Sequence, residues 1–209
     1  KRMLDPAIVS VSDKEYDGNA VTSDAITLTG AVLGETPTAT GVFTFDNANV
    51  GPDKAVTVAV TLDGNWGNNY VLSTNELTTT ATITTKTVGL EWQGYENLSY
   101  TGQPVSVIAK ATGLVTGDTC TVIVEDGDKV DVGNYTAKAI GLSNPNYQLP
   151  TTGTTKDYTI AIAAGSASVT MESWTYGDAA NSPVPVSDTN GTDKVTYHYD
   201  GRNGTAYSS

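Results

Sequence analysis

The chain has 209 residues, with 11 Lys+Arg against 23 Asp+Glu, a net charge of −12, one cysteine (Cys120) and one histidine (His198). A single cysteine excludes an internal disulfide, and one Cys with one His cannot supply a zinc site from soft ligands. No apolar run approaches the roughly 20 residues that span a bilayer, and the acidic balance argues against nucleic acid and anionic membrane as partners, which need clustered Lys/Arg.

Composition favours strands: 34 Thr and 22 Val, both stiff at χ1 and suited to a pleated surface. Gly, Asn and Asp cluster between the Thr/Val runs, where turns need them. No window shows convincing helical periodicity. In chain order, alternation predicts strands over 7–11, 25–32, 40–46, 54–61 and 79–84. A second set follows over 88–92, 104–111, 119–125, 134–140 and 156–162. Residues 30–36 (GAVLGET) and 113–119 (GLVTGDT) have room for one helical turn. The expected fold is mainly β, built from small antiparallel modules. An Ig-like sandwich is favoured, and a β-grasp-like module with one short helix is the alternative.

The chain resembles itself, which sets its organisation. EYDGNAV around Tyr16, SYTGQPV around Tyr100 and WTYGDAANSPV around Tyr176 share a motif. Asn49-Val50-Gly51 recurs as Asp131-Val132-Gly133, and Asn69-Tyr70 recurs as Asn146-Tyr147. These landmarks place module 1 at 1–86, module 2 at 87–163 and an incomplete module 3 at 164–209, joined by short segments that limit bending. The third segment is too short to hold the later landmarks. It is expected to leave strand edges open, with strand exchange between molecules as one outcome. Tyr16, Tyr100 and Tyr176 are expected to pack equivalently, as are Tyr70 and Tyr147, with phenols reaching backbone carbonyls at strand corners. The start of the chain lacks the apolar core of a signal peptide, so it reads as an internal segment of something larger.

Tyr16-Asp17-Gly18, following AIVSVSDKE, resembles the YDG-type repeat of bacterial surface and adhesin-like proteins. Tyr100-Thr101-Gly102-Gln103-Pro104 and Tyr176-Gly177-Asp178 resemble the companion MBG-type repeats. Asn49-Val50-Gly51 departs mildly from the more common Asn-Ala-Gly. The resemblance implies tandem extracellular modules of a stalk or an adhesin, and carries over no catalytic or binding residues.

Candidate chemistry is sparse. Cys120 alternates with Val122 and Val124 and reads as a small core residue, while His198 reads as a strand residue facing solvent. Asp126, Asp128 and Asp131 form an oxygen-rich stretch without EF-hand spacing, so a polar turn is favoured over a calcium loop. Trp66 with Asn68 and Asn69 could offer a stacking face and amide donors to a sugar. The favoured reading is that Trp66 covers the open end of its module or packs against the second. Trp92 and Trp174 are expected in strands, as core or inter-module contacts. A Lys–Asn isopeptide bond, considered at Lys14, Lys110 or Lys138, is disfavoured. No cofactor is expected. The functional expectation is a non-catalytic spacer or adhesin shaft on a bacterial cell surface. The alternatives are a module binding a glycan or host surface protein, and an accessory repeat of a larger secreted enzyme.

Overall fold

A run that alternates small or branched apolar residues with Thr can bury only one face, so two such sheets must cover each other. The computed structural model describes residues 1–187 apart from 166, 176, 180 and 182. It is mainly β, without α-helix among the described residues.

Residues 1–84 contain β1 (Arg2–Ile8), β2 (Lys14–Glu15), β3 (Val21–Thr22), β4 (Ile26–Thr29), β5 (Ala39–Phe45), β6 (Gly51–Leu62), β7 (Tyr70–Leu72) and β8 (Glu76–Thr84). One sheet has the order β4-β1-β7, the other β2-β8-β6-β5-β3. Phe43 and Phe45 of β5, Val56, Val58 and Val60 of β6, and Ala81 and Ile83 of β8 are buried, and their in-between neighbours face out. Ile8, Ile26 and Leu72 of the smaller sheet pack onto this face, which makes a small sandwich. The fit is close at Gly41, where a Cβ would lie 2.9 Å from Ile26 and from Phe43.

The next stretch contains β9 (Lys86–Thr87), β10 (Gly89–Gln93), β11 (Leu98–Ser99), β12 (Ile108–Thr112), β13 (Val122–Glu125), β14 (Gly133–Leu142), β15 (Tyr147–Gln148) and β16 (Thr155–Ala161). Its main sheet has the order β11-β16-β14-β13, matching β2-β8-β6-β5. The pairing types agree strand for strand. β2 with β8 and β11 with β16 are parallel, with Lys14 opposite Ile83 and Leu98 opposite Ile160. The first strand of each stretch runs parallel to a short strand opening on tyrosine, with Arg2 opposite Tyr70 and Lys86 opposite Tyr147. It then turns to an antiparallel partner, with Asp5 opposite Thr29 and Gly89 opposite Thr112. At the crossing sit the buried Leu4 and Val88.

Beyond residue 163, β17 (Ala167–Thr170) pairs antiparallel with β18 (Val184–Ser187). Tyr176 and His198 lie outside the described residues.

Several expectations change. The first strand covers 2–8 rather than 7–11, because the edge of β7 is available to residues 2–4. Residues 104–107 are not strand. There, the backbone N–H groups of Val105 and Val107 donate to Lys129 and Gly127 carbonyls across a loop. Segments 30–36 and 113–119 form turns instead of a helical turn, and among the described residues the one short helix is a 3-10 turn at Trp66–Asn68. Trp174 lies outside any strand. The turn after β13 works differently from a glycine turn: Asp126 takes the positive φ (58°), while Gly127 is needed because a Cβ there would collide with the Val107 carbonyl.

Candidate functional site: the joint at Tyr16

The two stretches are separated by one residue, Thr85, between the end of β8 and the start of β9. So short a passage leaves little freedom unless the facing surfaces clash. They fit. The Tyr16 ring packs edge-on against the Tyr147 ring with centroids 5.5 Å apart, the favourable T-shaped arrangement of two quadrupoles. Both phenols donate to the same carboxylate oxygen, Oδ2 of Asp118, at 2.9 Å from Tyr16 and 2.7 Å from Tyr147. Tyr147 also accepts the Val115 backbone N–H at 2.8 Å. Burial, and then the negative Asp118 beside it, raises the Tyr16 phenol pKa; the same two causes push Tyr147 up to about 12.

Asn146 is the second anchor. It is 8% exposed and opens a corner in which its own N–H is held by the Asn144 side chain. Its Oδ1 accepts the Val50 backbone N–H at 2.9 Å, and its Nδ2 donates to Asn49 Oδ1 at 3.1 Å. One side chain thus satisfies a donor and an acceptor across the joint, as a buried amide must. Gly18 completes the fit. Its φ is +77°, and a Cβ there would stand 2.8 Å from Val115 Cγ1. Lys86 pairs with Glu15 at 3.1 Å on the exposed rim, where it contributes little.

The turn that presents Asn49 and Val50 is itself braced. Lys54 occupies an inward-facing position of β6 and is buried, in line with Val56 and Val58. Its ammonium reaches Asp46 Oδ1 at 2.7 Å and Asn47 Oδ1 at 2.9 Å, and Asn47 Oδ1 accepts the Asn49 N–H. The bond from Lys54 holds the Asp46 carboxyl below the usual carboxylate range. Among the described residues this hydrogen-bonded Lys54–Asn47 pair sets a lysine beside an asparagine, the residue types of an isopeptide bond. Lys14, one of the lysines considered, is paired instead with Asp17 at 2.7 Å.

The other candidates fall elsewhere. Trp66 is half-buried, with its ring edge-on to Tyr70 at 6.0 Å. Asn68 and Asn69 are exposed, and with Asn65 and Trp66 they line an open depression of about 460 Å³. Asp126 is paired with Lys129 at 2.6 Å, and its carbonyl accepts the Tyr158 phenol at 2.7 Å. The Asp131 carbonyl accepts the Tyr135 phenol. Asp126, Asp128 and Asp131 do not converge, and among the described residues no three acidic, His or Cys side chains form a metal-binding group. Cys120 is half-buried against the core. Trp92 packs on the core and donates to the Gly153 carbonyl at 3.1 Å.

The expected equivalence of Tyr70 and Tyr147 is observed. Tyr70 accepts the Val32 N–H at 3.0 Å and donates to Glu35, as Tyr147 does with Val115 and Asp118. These phenols reach a backbone N–H and a carboxylate, not a carbonyl, because the turn before each places an acid three residues after a free N–H. Tyr16 and Tyr100 are not equivalent: Tyr16 is 6% exposed and Tyr100 44%, since among the described residues only Tyr16 has a corner docked on it.

Asn49-Val50 and Asn146-Tyr147 stand out in the sequence as repeat landmarks, but sequence does not show that one landmark seats on the other. Asp118 carries no such signal beyond its match to Glu35.

Residues 1–79, from β1 into β8, match the model of the YDG domain. No curated protein and no solved structure matches the chain.

Proposed function

We propose that the chain is a non-catalytic spacer: tandem β-modules, YDG-like followed by MBG-like, that hold a larger bacterial surface protein away from the cell as part of a stalk or adhesin shaft. The observation that carries this reading is the joint. A spacer transmits position only if successive modules cannot swing. Here a one-residue passage is flanked by a ring contact, a shared carboxylate and an amide bridge. The hydrophobic cluster runs on through it, with Tyr16 and Val50 on one side and Val115 and Tyr147 on the other. Such a joint costs buried polar groups that a freely hinged linker would leave solvated. Inter-module surfaces that are small and polar default to relative motion; here apolar contact accompanies the polar bridges.

The test is small-angle scattering on the chain and on Tyr16→Ala. The spacer reading expects wild-type scattering that one fixed arrangement of residues 1–163 reproduces, and a Tyr16→Ala curve that needs a spread of inter-module angles. Wild-type data that already demand such a spread would remove the basis for the reading.

A further inference from the structure

We infer that each stretch resists tension along the chain: the strand that leaves it is latched in parallel by the short strand that ends at the Tyr-x-Gly motif, so a pull loads the two in shear. The inference goes beyond spacing. It stands on the strand register within residues 86–161 and not on the rigidity of the joint.

The direction of a pull follows from the register of the second stretch. The chain enters at Lys86, opposite Tyr147, and leaves after Ala161, next to Ile160, which lies opposite Gly133. Gly133 and Leu142 are the two ends of β14, and the corner at 143–146 joins Leu142 to Tyr147. Entry and exit therefore lie at opposite ends of a strand of 10 residues, about 33 Å long. The chain continues past both points, at Thr85 and at Ile162. Tension on it runs along the strands.

The exit strand β16 has two neighbours. β14 holds it antiparallel, from Gly133 opposite Ile160 to Lys138 opposite Thr155. On its other edge lies β11, parallel, with Leu98 opposite Ile160 and Ser99 opposite Ala161. The Tyr100 N–H closes this pairing on the Ala161 carbonyl at 2.9 Å. A pull at Lys86 is taken first by β9 and β10, which are paired with β15 and β12, and then draws β11 towards the entry end. A pull beyond Ala161 draws β16 the opposite way. The hydrogen bonds between β11 and β16 lie across these pulls, so they share them and fail together. A pull that peels strands apart from one end breaks such bonds one at a time. Ile160 and Tyr158 are buried, and Leu98 packs on their cluster. Sliding β16 by one residue would turn Ile160 out of the core and bring Thr159 in. The Tyr158 phenol, bonded to the Asp126 carbonyl at 2.7 Å, opposes the same slide.

The first stretch carries the same latch. β2 lies parallel to the end of β8, with Lys14 opposite Ile83 and Glu15 opposite Thr84, and the Tyr16 N–H donates to the Thr84 carbonyl at 2.9 Å. Asp13 Oδ1 accepts the Thr82 N–H at 2.8 Å, and Thr84 Oγ1 donates to the Lys14 carbonyl at 3.3 Å. The repeated motif thus has a backbone role separate from the Tyr16 ring in the joint. Its tyrosine supplies the last bond of the latch, and Gly18 or Gly102, at φ +77° and +75°, turns the chain away beyond it.

The experiment is single-molecule force spectroscopy on the full chain, with Cys120→Ser and two thiol handles at exposed positions. Thr84→Cys with Ile162→Cys pulls the second stretch from entry to exit. Val132→Cys with Ile162→Cys pulls at the neighbouring ends of β14 and β16 and peels them apart. Forced unfolding reads the unfolding barrier and not the equilibrium stability, so the two pairs of handles compare directions through one fold. Entry-to-exit pulling should rupture the second stretch at a several-fold higher force than peeling at the same loading rate. Tyr100→Pro, which deletes the last bond of the latch, should lower the entry-to-exit force and leave the peeling force unchanged. Equal forces in the two directions would overturn the inference. So would a Tyr100→Pro chain in which both forces fall in proportion, since the bond would then stabilise the fold without carrying the pull, or one in which neither falls. The comparison of directions leaves the latch itself unaltered, so it decides the matter even where Tyr100→Pro does not fold. None of these outcomes bears on whether the joint is rigid, which scattering on Tyr16→Ala decides separately.

Discussion

Tyr16 and Tyr100 occupy matching places in matching sequences, yet only one is covered, so the pair measures what the joint contributes. Their exposures are 6% and 44%. Applied to a tyrosine surface of roughly 200 Å², that difference is about 75 Å². At ~25 cal/mol per Å² it corresponds to about 2 kcal/mol. Tyr16 also donates to the Asp118 carboxylate, a bond of the charged class worth about 1.5–3 kcal/mol, with the lower end fitting a half-buried site. Tyr16→Ala should therefore destabilise the chain by about 3 kcal/mol more than Tyr100→Ala, on the scale known for large-to-small core changes. The assay is urea unfolding with tyrosine and tryptophan fluorescence and circular dichroism as independent probes. Nearest-neighbour coupling between modules predicts one shared transition for wild type and Tyr100→Ala, and two separated transitions for Tyr16→Ala. Equal losses for the two variants, within about 1 kcal/mol, or a Tyr16→Ala transition that stays single, would refute the assignment of Tyr16 to the joint.

Asn146→Ala removes both amide bonds across the joint and leaves the Val50 N–H without its acceptor; a loss of about 1–3 kcal/mol is expected in the same unfolding assay. Gly18→Ala and Gly102→Ala share the cost of a positive φ, about 1–2 kcal/mol, but only the first meets Val115, so its melting temperature should fall further. Burial and Asp118 raise Tyr147 from 10.0 to about 12, so its neutral form stabilises the fold fully below pH about 10 and this contribution fades as pH rises through 12. Spectrophotometric titration should show a tyrosine ionising near pH 12 that disappears in Tyr147→Phe, while the raised Tyr16 phenol remains. Asp46 is held low by Lys54, so its contribution is present above pH about 4 and lost as pH falls towards its folded value. Melting temperature against pH should show an acid-side decline that Lys54→Met flattens.

The fold class and the strand centres were legible because alternation is local: Phe43-Thr44-Phe45, Val56-Thr57-Val58 and Tyr158-Thr159-Ile160 each declare a buried and an open face from adjacent residues. The short strands were not legible. Lys14–Glu15, Leu98–Ser99 and Tyr147–Gln148 have two residues each, too few for a period, and exist because a neighbouring strand offers an edge. The same limit explains Lys54, a charged residue in an inward slot whose partners Asp46 and Asn47 lie across a bulged turn.

That strands form, where their apolar faces lie, and that Tyr16 and Tyr100 carry one motif can all be read along the chain, because each depends on spacing within a few residues or on comparison of one stretch with another. The different surroundings of the two tyrosines come from packing across the fold. The Tyr16 phenol finds Asp118 102 positions away and Asn49 meets Asn146 97 positions away. No local pattern encodes such a meeting: it arises when one folded surface is set against another, and the matching of their donors, acceptors and shapes then fixes which pairs touch.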